Sequence, residues 1–163
     1  QHPEHSKHSL TVSYYERHSL LANAIMPHLY SQSLEKERAD FFVKLLKPNF
    51  NTKMEDFFHF FKLPTEPQDW SVQTGYSLAN LRAGNFSTAR NENNKLIKKA
   101  SKFDKNTELQ QLHLHRALIE AQDGKKQEAR KFLDKVLETT SSEALDKNSQ
   151  KLVQEIEKVL KEL

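Results

Sequence analysis

From Leu10 onward, apolar residues recur at three- and four-residue intervals, the period of helices that bury one side. Leu10 to Tyr30 carries Val12, Tyr15, Leu20, Leu21, Ala24, Ile25 and Leu29, with Pro27 placed to kink or end the helix. Ser33 is positioned to cap a second helix, Leu34 to Lys47, whose inward residues are Leu34, Phe41, Phe42, Leu45 and Leu46 and which Pro48 stops. Thr52-Lys53-Met54-Glu55 has the form of a capping box and starts a short helix to Leu63. Pro64 and Pro67 mark a turn. Beyond it come helices from about Gln68 to Ala83, Phe86 to Lys102, Thr107 to Asp123 and Lys126 to Thr139. Ser141 or Ser142 is expected to cap a last helix, with Leu152, Val153, Ile156, Val159, Leu160 and Leu163 on its apolar side. No segment sustains the two-residue alternation of a strand.

Composition narrows the class. The chain has 163 residues, 3 Gly, 5 Pro and no Cys. So few chain breakers exclude a turn-rich β-sandwich, and the absence of Cys excludes disulfides, a thiol nucleophile and a cysteine zinc site. No apolar run approaches the length needed to cross a bilayer. The chain begins with Gln1, and is expected to be a processed protein or one piece of a longer one. Residues 1–9 form a polar tail with His2, His5 and His8, and 10–66 an N-terminal helical part. Residues 67–163 form the helical repeats with a closing helix, the whole making one compact unit.

Two glycines sit at matching points forty residues apart. Leu78 through Arg90, with Gly84, Ala89 and Arg90, aligns with Leu118 through Arg130, with Gly124, Ala129 and Arg130. Glycine permits a tight reversal after a helix, and a small residue five positions later lets the next helix approach closely. The pattern is that of one helical hairpin used twice.

This pattern resembles the tetratricopeptide repeat, through Gly84, Phe86, Ala89 and Leu96 in the first unit and Ala117, Gly124, Ala129, Leu133 and Val136 in the second. It departs from the family at Ser77, at polar Asn93, and in lacking the family's Trp, Leu-Gly and Pro signatures. The forty-residue offset also exceeds the usual period of about 34. The resemblance implies an all-α, right-handed stack of about eight helices, with a concave groove that binds a peptide or helix of another protein. Carried over position by position, the groove is lined by Thr74, Leu78, Leu81 and Arg82, then by Leu114, Leu118, Ala121 and Gln122. It lacks the Lys/Asn set that clamps a terminal carboxylate in some members. Glutamate at both Leu78 and Leu118 is expected to abolish partner capture and leave helicity intact.

Charge adds a rival. Residues 70–163 hold 17 basic and 13 acidic side chains, against 8 and 9 in the remainder. Lys95, Lys98, Lys99 and Lys102 share a helix side and make a basic face suited to nucleic acid or another acidic ligand. Few aromatics are interleaved, which disfavours single-strand stacking. His113 and His115 lie two apart and so point to different sides, unable to hold one metal ion. There is no G-x-S-x-G elbow, no Gly-rich phosphate loop and no H-E-x-x-H, so no catalytic, metal or cofactor site is assigned. Phe57, Phe58, Phe60 and Phe61 make a dense apolar cluster, expected to wedge between the N-terminal helices and the repeats.

Overall fold

The computed structural model describes residues 26–45 and 66–163. The polar tail, the capping box at Thr52, Pro48 and the Phe-rich helix lie outside the described residues. Within them the chain is all-α. The helices are α1 (Met26–Leu29), α2 (Lys36–Leu45), α3 (Glu66–Ala83), α4 (Phe86–Lys102), α5 (Asn106–Gln122), α6 (Lys126–Leu137) and α7 (Lys147–Glu162), with a 3₁₀ turn at Ser142–Ala144. Each packs mainly on its chain neighbour, from α2 on α3 through α5 on α6. Two contacts break that order: α1 rests on α3, and α7 packs on α5.

Several boundaries differ from expectation for local reasons. Pro27 lies inside α1, and Pro67 is the second residue of α3. Proline is tolerated in a first turn, where its missing N–H has no partner to lose. Ser33 does not cap α2. Its hydroxyl pairs with that of Ser31 at 2.8 Å, and α2 begins only after Glu35. Neither Ser141 nor Ser142 caps the last helix. Asp146 does, its carboxylate accepting the Ser149 N–H at 2.7 Å. Phe41, expected inward, is 60% exposed, whereas Phe42 is buried.

Three helix ends close the same way. After α3, Asn85 N–H donates to the Asn80 carbonyl and Gly84 N–H to that of Leu81. After α4, Lys105 donates to Ala100 and Asp104 to Ser101; after α5, Lys125 donates to Glu120 and Gly124 to Ala121. This paired pattern needs a left-handed residue, supplied by Gly84 (φ 85°), Asp104 (φ 53°) and Gly124 (φ 80°). Gly84 and Gly124 announce such an end in the sequence, and Asp104 does not, because aspartate adopts that conformation only at a cost. Asp104→Gly should therefore raise stability by about 0.5–1 kcal/mol, or roughly 1–4 °C in Tm. Gly84→Ala should lower stability by about 1 kcal/mol. A Cβ there meets nothing within 4 Å, so backbone strain alone acts. Thermal melts of both variants check the two signs.

The core falls into two clusters, a large one spanning most of these helices and a smaller one of Leu96, Ala100 and Leu112 between α4 and α5. Leu78, Leu81, Leu114, Leu118, Leu133, Leu152, Ile156 and Leu160 belong to one buried cluster that also contains Leu29, Tyr30 and Phe42. Ala89 and Ala129 are fully buried, and the Ser77 hydroxyl donates to the Ala89 carbonyl at 3.1 Å, so that small-residue crossing is tied as well as close. Asn93, polar where an apolar residue was expected, is buried and satisfied. Its amide donates to the Leu112 carbonyl at 3.0 Å, and its side-chain oxygen receives Arg116.

Candidate functional site

The eight groove positions come from α3 and α5, and the fold brings them to one side. Six are covered. Thr74, Leu78, Leu81, Leu114, Leu118 and Ala121 are buried, while Arg82 is largely enclosed and Gln122 exposed. Their cover is the chain itself: α1 and α2 lie on α3, and α7 lies on α5. An open apolar groove over these side chains is therefore not what these helices form. The physical reason is the amphipathic α7 and the Leu29-Tyr30 segment. Both carry apolar surface that has to be buried, and the α3–α5 face is available to bury it.

Polar groups fix that cover in place. Arg82 donates from Nε to the Leu29 carbonyl at 2.7 Å and, as a fork, to both Glu155 oxygens at 2.5 and 2.9 Å. Side-chain exposure is only 6% and 4% for the pair, so its two charges are almost wholly removed from water. One guanidinium thus joins α1, α3 and α7. Deeper in, Gln111 donates to the Tyr30 hydroxyl at 2.8 Å, which leaves the hydroxyl hydrogen for His115 Nε2 at 3.1 Å. The ring proton then sits on Nδ1, a buried atom with no hydrogen-bond partner among the described residues.

That environment keeps His115 neutral. Burial, and then the charge of Arg82, pushes its pKa down to about 3, with Asp146 opposing. Burial likewise raises the Tyr30 hydroxyl above its ordinary range, with the charge of Asp146 adding to it. The folded histidine has the lower pKa, so the unfolded chain takes up the proton first. Its contribution to stability is complete above about pH 6.5 and is lost as pH falls toward 3, by up to about 1.4 kcal/mol per unit. Denaturant titrations between pH 7 and 4 should show His115→Phe flatter than the parent chain by that increment. Parallel curves would mean that His115 is not held neutral.

Among the described residues, one part of the face stays open. A cleft of about 340 Å³ lies where the ends of α3 and α5 meet α7 and the loop before α2. Gln32 and Lys36 stand on one side, Gln122 on another, and Leu81, Phe86 and the Arg82–Glu155 pair form much of the rest. Three of the expected groove residues, Leu81, Arg82 and Gln122, thus border it. Phe86 arrives through the Gly84 turn, whereas Gln32, Lys36 and Glu155 were not anticipated, because only the folded path of the N-terminal segment and α7 brings them there.

No family model, curated protein or solved structure matches the chain.

The other expected residues fall elsewhere. Lys95, Lys98 and Lys102 are exposed on α4 and Lys99 is half-buried. Lys95 pairs with Glu92 at 3.3 Å, and the Lys102 ammonium lies 5.8 Å from the Phe103 ring centre. His113 turns toward Phe132 of α6, while His115 turns toward Tyr30. Among the described residues no three His, Asp or Glu side chains are grouped as a metal site, and no helix is long and apolar enough to cross a membrane.

Proposed function

We propose that this chain is a protein-interaction module of tetratricopeptide-like hairpins, which takes a segment of a partner protein at the cleft between α3, α5 and α7. The observation that carries this is the cleft itself. At about 340 Å³ it is large enough for one or two side chains of an entering peptide. It is bordered by Leu81, Arg82 and Gln122, residues at groove positions of the repeat. The repeat reading draws on the equivalent turns at Gly84 and Gly124 and the buried alanines that follow each. The mode of recognition has a counterpart within the chain. Arg82 already holds the backbone carbonyl of Leu29, and Tyr30 beside it inserts its ring against α5. An extended peptide with an apolar anchor and free carbonyls suits such a wall.

A photo-crosslinking residue at Gln122 tests this in extracts of the native source. A discrete partner should be captured there and not from Gln154, an exposed position on α7. Capture should fail when Lys36→Glu and Gln32→Trp close and recharge the cleft. Equal capture from both positions, or capture that survives those changes, would reject the cleft as the docking point.

A further inference from the structure

The side of the molecule formed by α4, α5 and α6 gathers positive charge around one aromatic ring. Residues 86–137 hold twelve basic and seven acidic side chains. Arg116 and His113 lie one turn apart on α5, and both reach Phe132 of α6. The guanidinium carbon is 5.2 Å and the imidazole centre 5.9 Å from the ring centre. The Lys135 ammonium lies 5.1 Å from the same ring. Arg116 also donates to the side-chain oxygens of Asn93 and Asn94, so the cluster spans from α4 to α6.

The acid beside it is shared. Glu120 faces Arg116 with Oε2, at a long 3.4 Å from Nε, while its Oε1 is held by Arg90 at 2.5 Å. Asp123 is likewise held by Arg90, at 2.7 Å. Lys135 makes no ion pair among the described residues, and the second terminal nitrogen of Arg116 has no acceptor among them. The field is felt at His113, whose pKa is lowered by burial and by the Lys135 charge, with no carboxylate raising it. Three donors are thus held in place beside one another, and the anion they suit is not supplied by the described residues.

We propose that this α4–α6 face binds an acidic peptide segment, an Asp/Glu-rich stretch of a partner chain whose carboxylates are received by Arg116, Lys135 and His113. Arg116, oriented by Asn93, Asn94 and Glu120, offers its remaining terminal nitrogen, so little ordering is needed on binding. Charge complementarity calls for an acidic occupant, and the state of the ring favours peptide over nucleic acid. The Phe132 ring is engaged by cations rather than left bare for a base to stack on, and the charge excess is local and modest. The site lies on a different surface from the cleft and stands or falls independently of it.

Titrating the full chain with hexaglutamate at low salt, followed by the NMR resonances of the histidine rings, tests the proposal. Bound carboxylates should raise the pKa of His113 and leave buried His115 unmoved. Lys135→Glu, at an exposed position, should weaken the peptide about tenfold, and Lys158→Glu on α7 should not. The proposal is overturned by His113 resonances that ignore the peptide, or by equal loss in the two charge reversals. An oligouridylate of the same charge that binds more tightly than hexaglutamate would also overturn it, by assigning the face to nucleic acid.

Discussion

Arg82→Ala should cost about 3–5 kcal/mol, a large part of the stability of a domain this size. The loss is not that of a surface ion pair. Glu155 is enclosed with its partner, so removing Arg82 strands a carboxylate away from water and leaves the Leu29 carbonyl without its donor. Arg82→Lys should recover only part of the loss, because an ammonium cannot reach two carboxylate oxygens and a backbone carbonyl as the guanidinium does. Exchanging both partners for leucine should be far milder than either single change, because neither charge is then left buried alone. Urea unfolding of the four proteins measures the ordering directly. A single mutant that loses less than about 1 kcal/mol would show that the pair is hydrated.

Glutamate at Leu78 and Leu118 together should unfold the chain rather than merely silence binding. The sequence alone suggested the opposite, since both positions map to an open groove in the repeat family. In the fold each is almost fully buried, at 1% and 0% exposure, and both belong to the large apolar cluster of the core. An ionised carboxylate there has no partner, and two such burials exceed the roughly 5–15 kcal/mol available to a domain. Far-ultraviolet circular dichroism should show loss of helix at neutral pH. The milder Leu118→Ala should remain folded and cost about 2–5 kcal/mol as a cavity.

What could be read from the chain, and what could not, follows from the range of the interactions involved. The helices from Phe86 to Leu137 were legible to within a residue or two, because local periodicity and glycine end signals define them. Ala89, Leu96, Leu133 and Val136, the small and apolar positions of the repeat pattern, are all buried. Asp104 and the Asp146 cap were missed, since one required an unfavoured backbone conformation and the other competed with nearby serines. The larger miss was the fate of the α3–α5 face. Whether that face is groove or core depends on where residues 26–45 and α7 settle, and no pattern within α3 or α5 records it. Arg82 and Gln122 were singled out by position alone. Their partners, Glu155 and the cleft, come from parts of the chain far away in sequence.

The chain contains no cysteine, so one introduced thiol reports on one position. Leu118→Cys and Gln122→Cys lie one turn apart on α5, one at the centre of the buried face and one at the mouth of the cleft. If the chain's own helices fill that face, the thiol at 122 reacts with an aromatic disulfide reagent as fast as a free peptide. The thiol at 118 then reacts only as fast as the protein opens, speeding up with denaturant. Equal, rapid labelling at both positions in native buffer would contradict the account, and would mean that the face stands open to a partner after all.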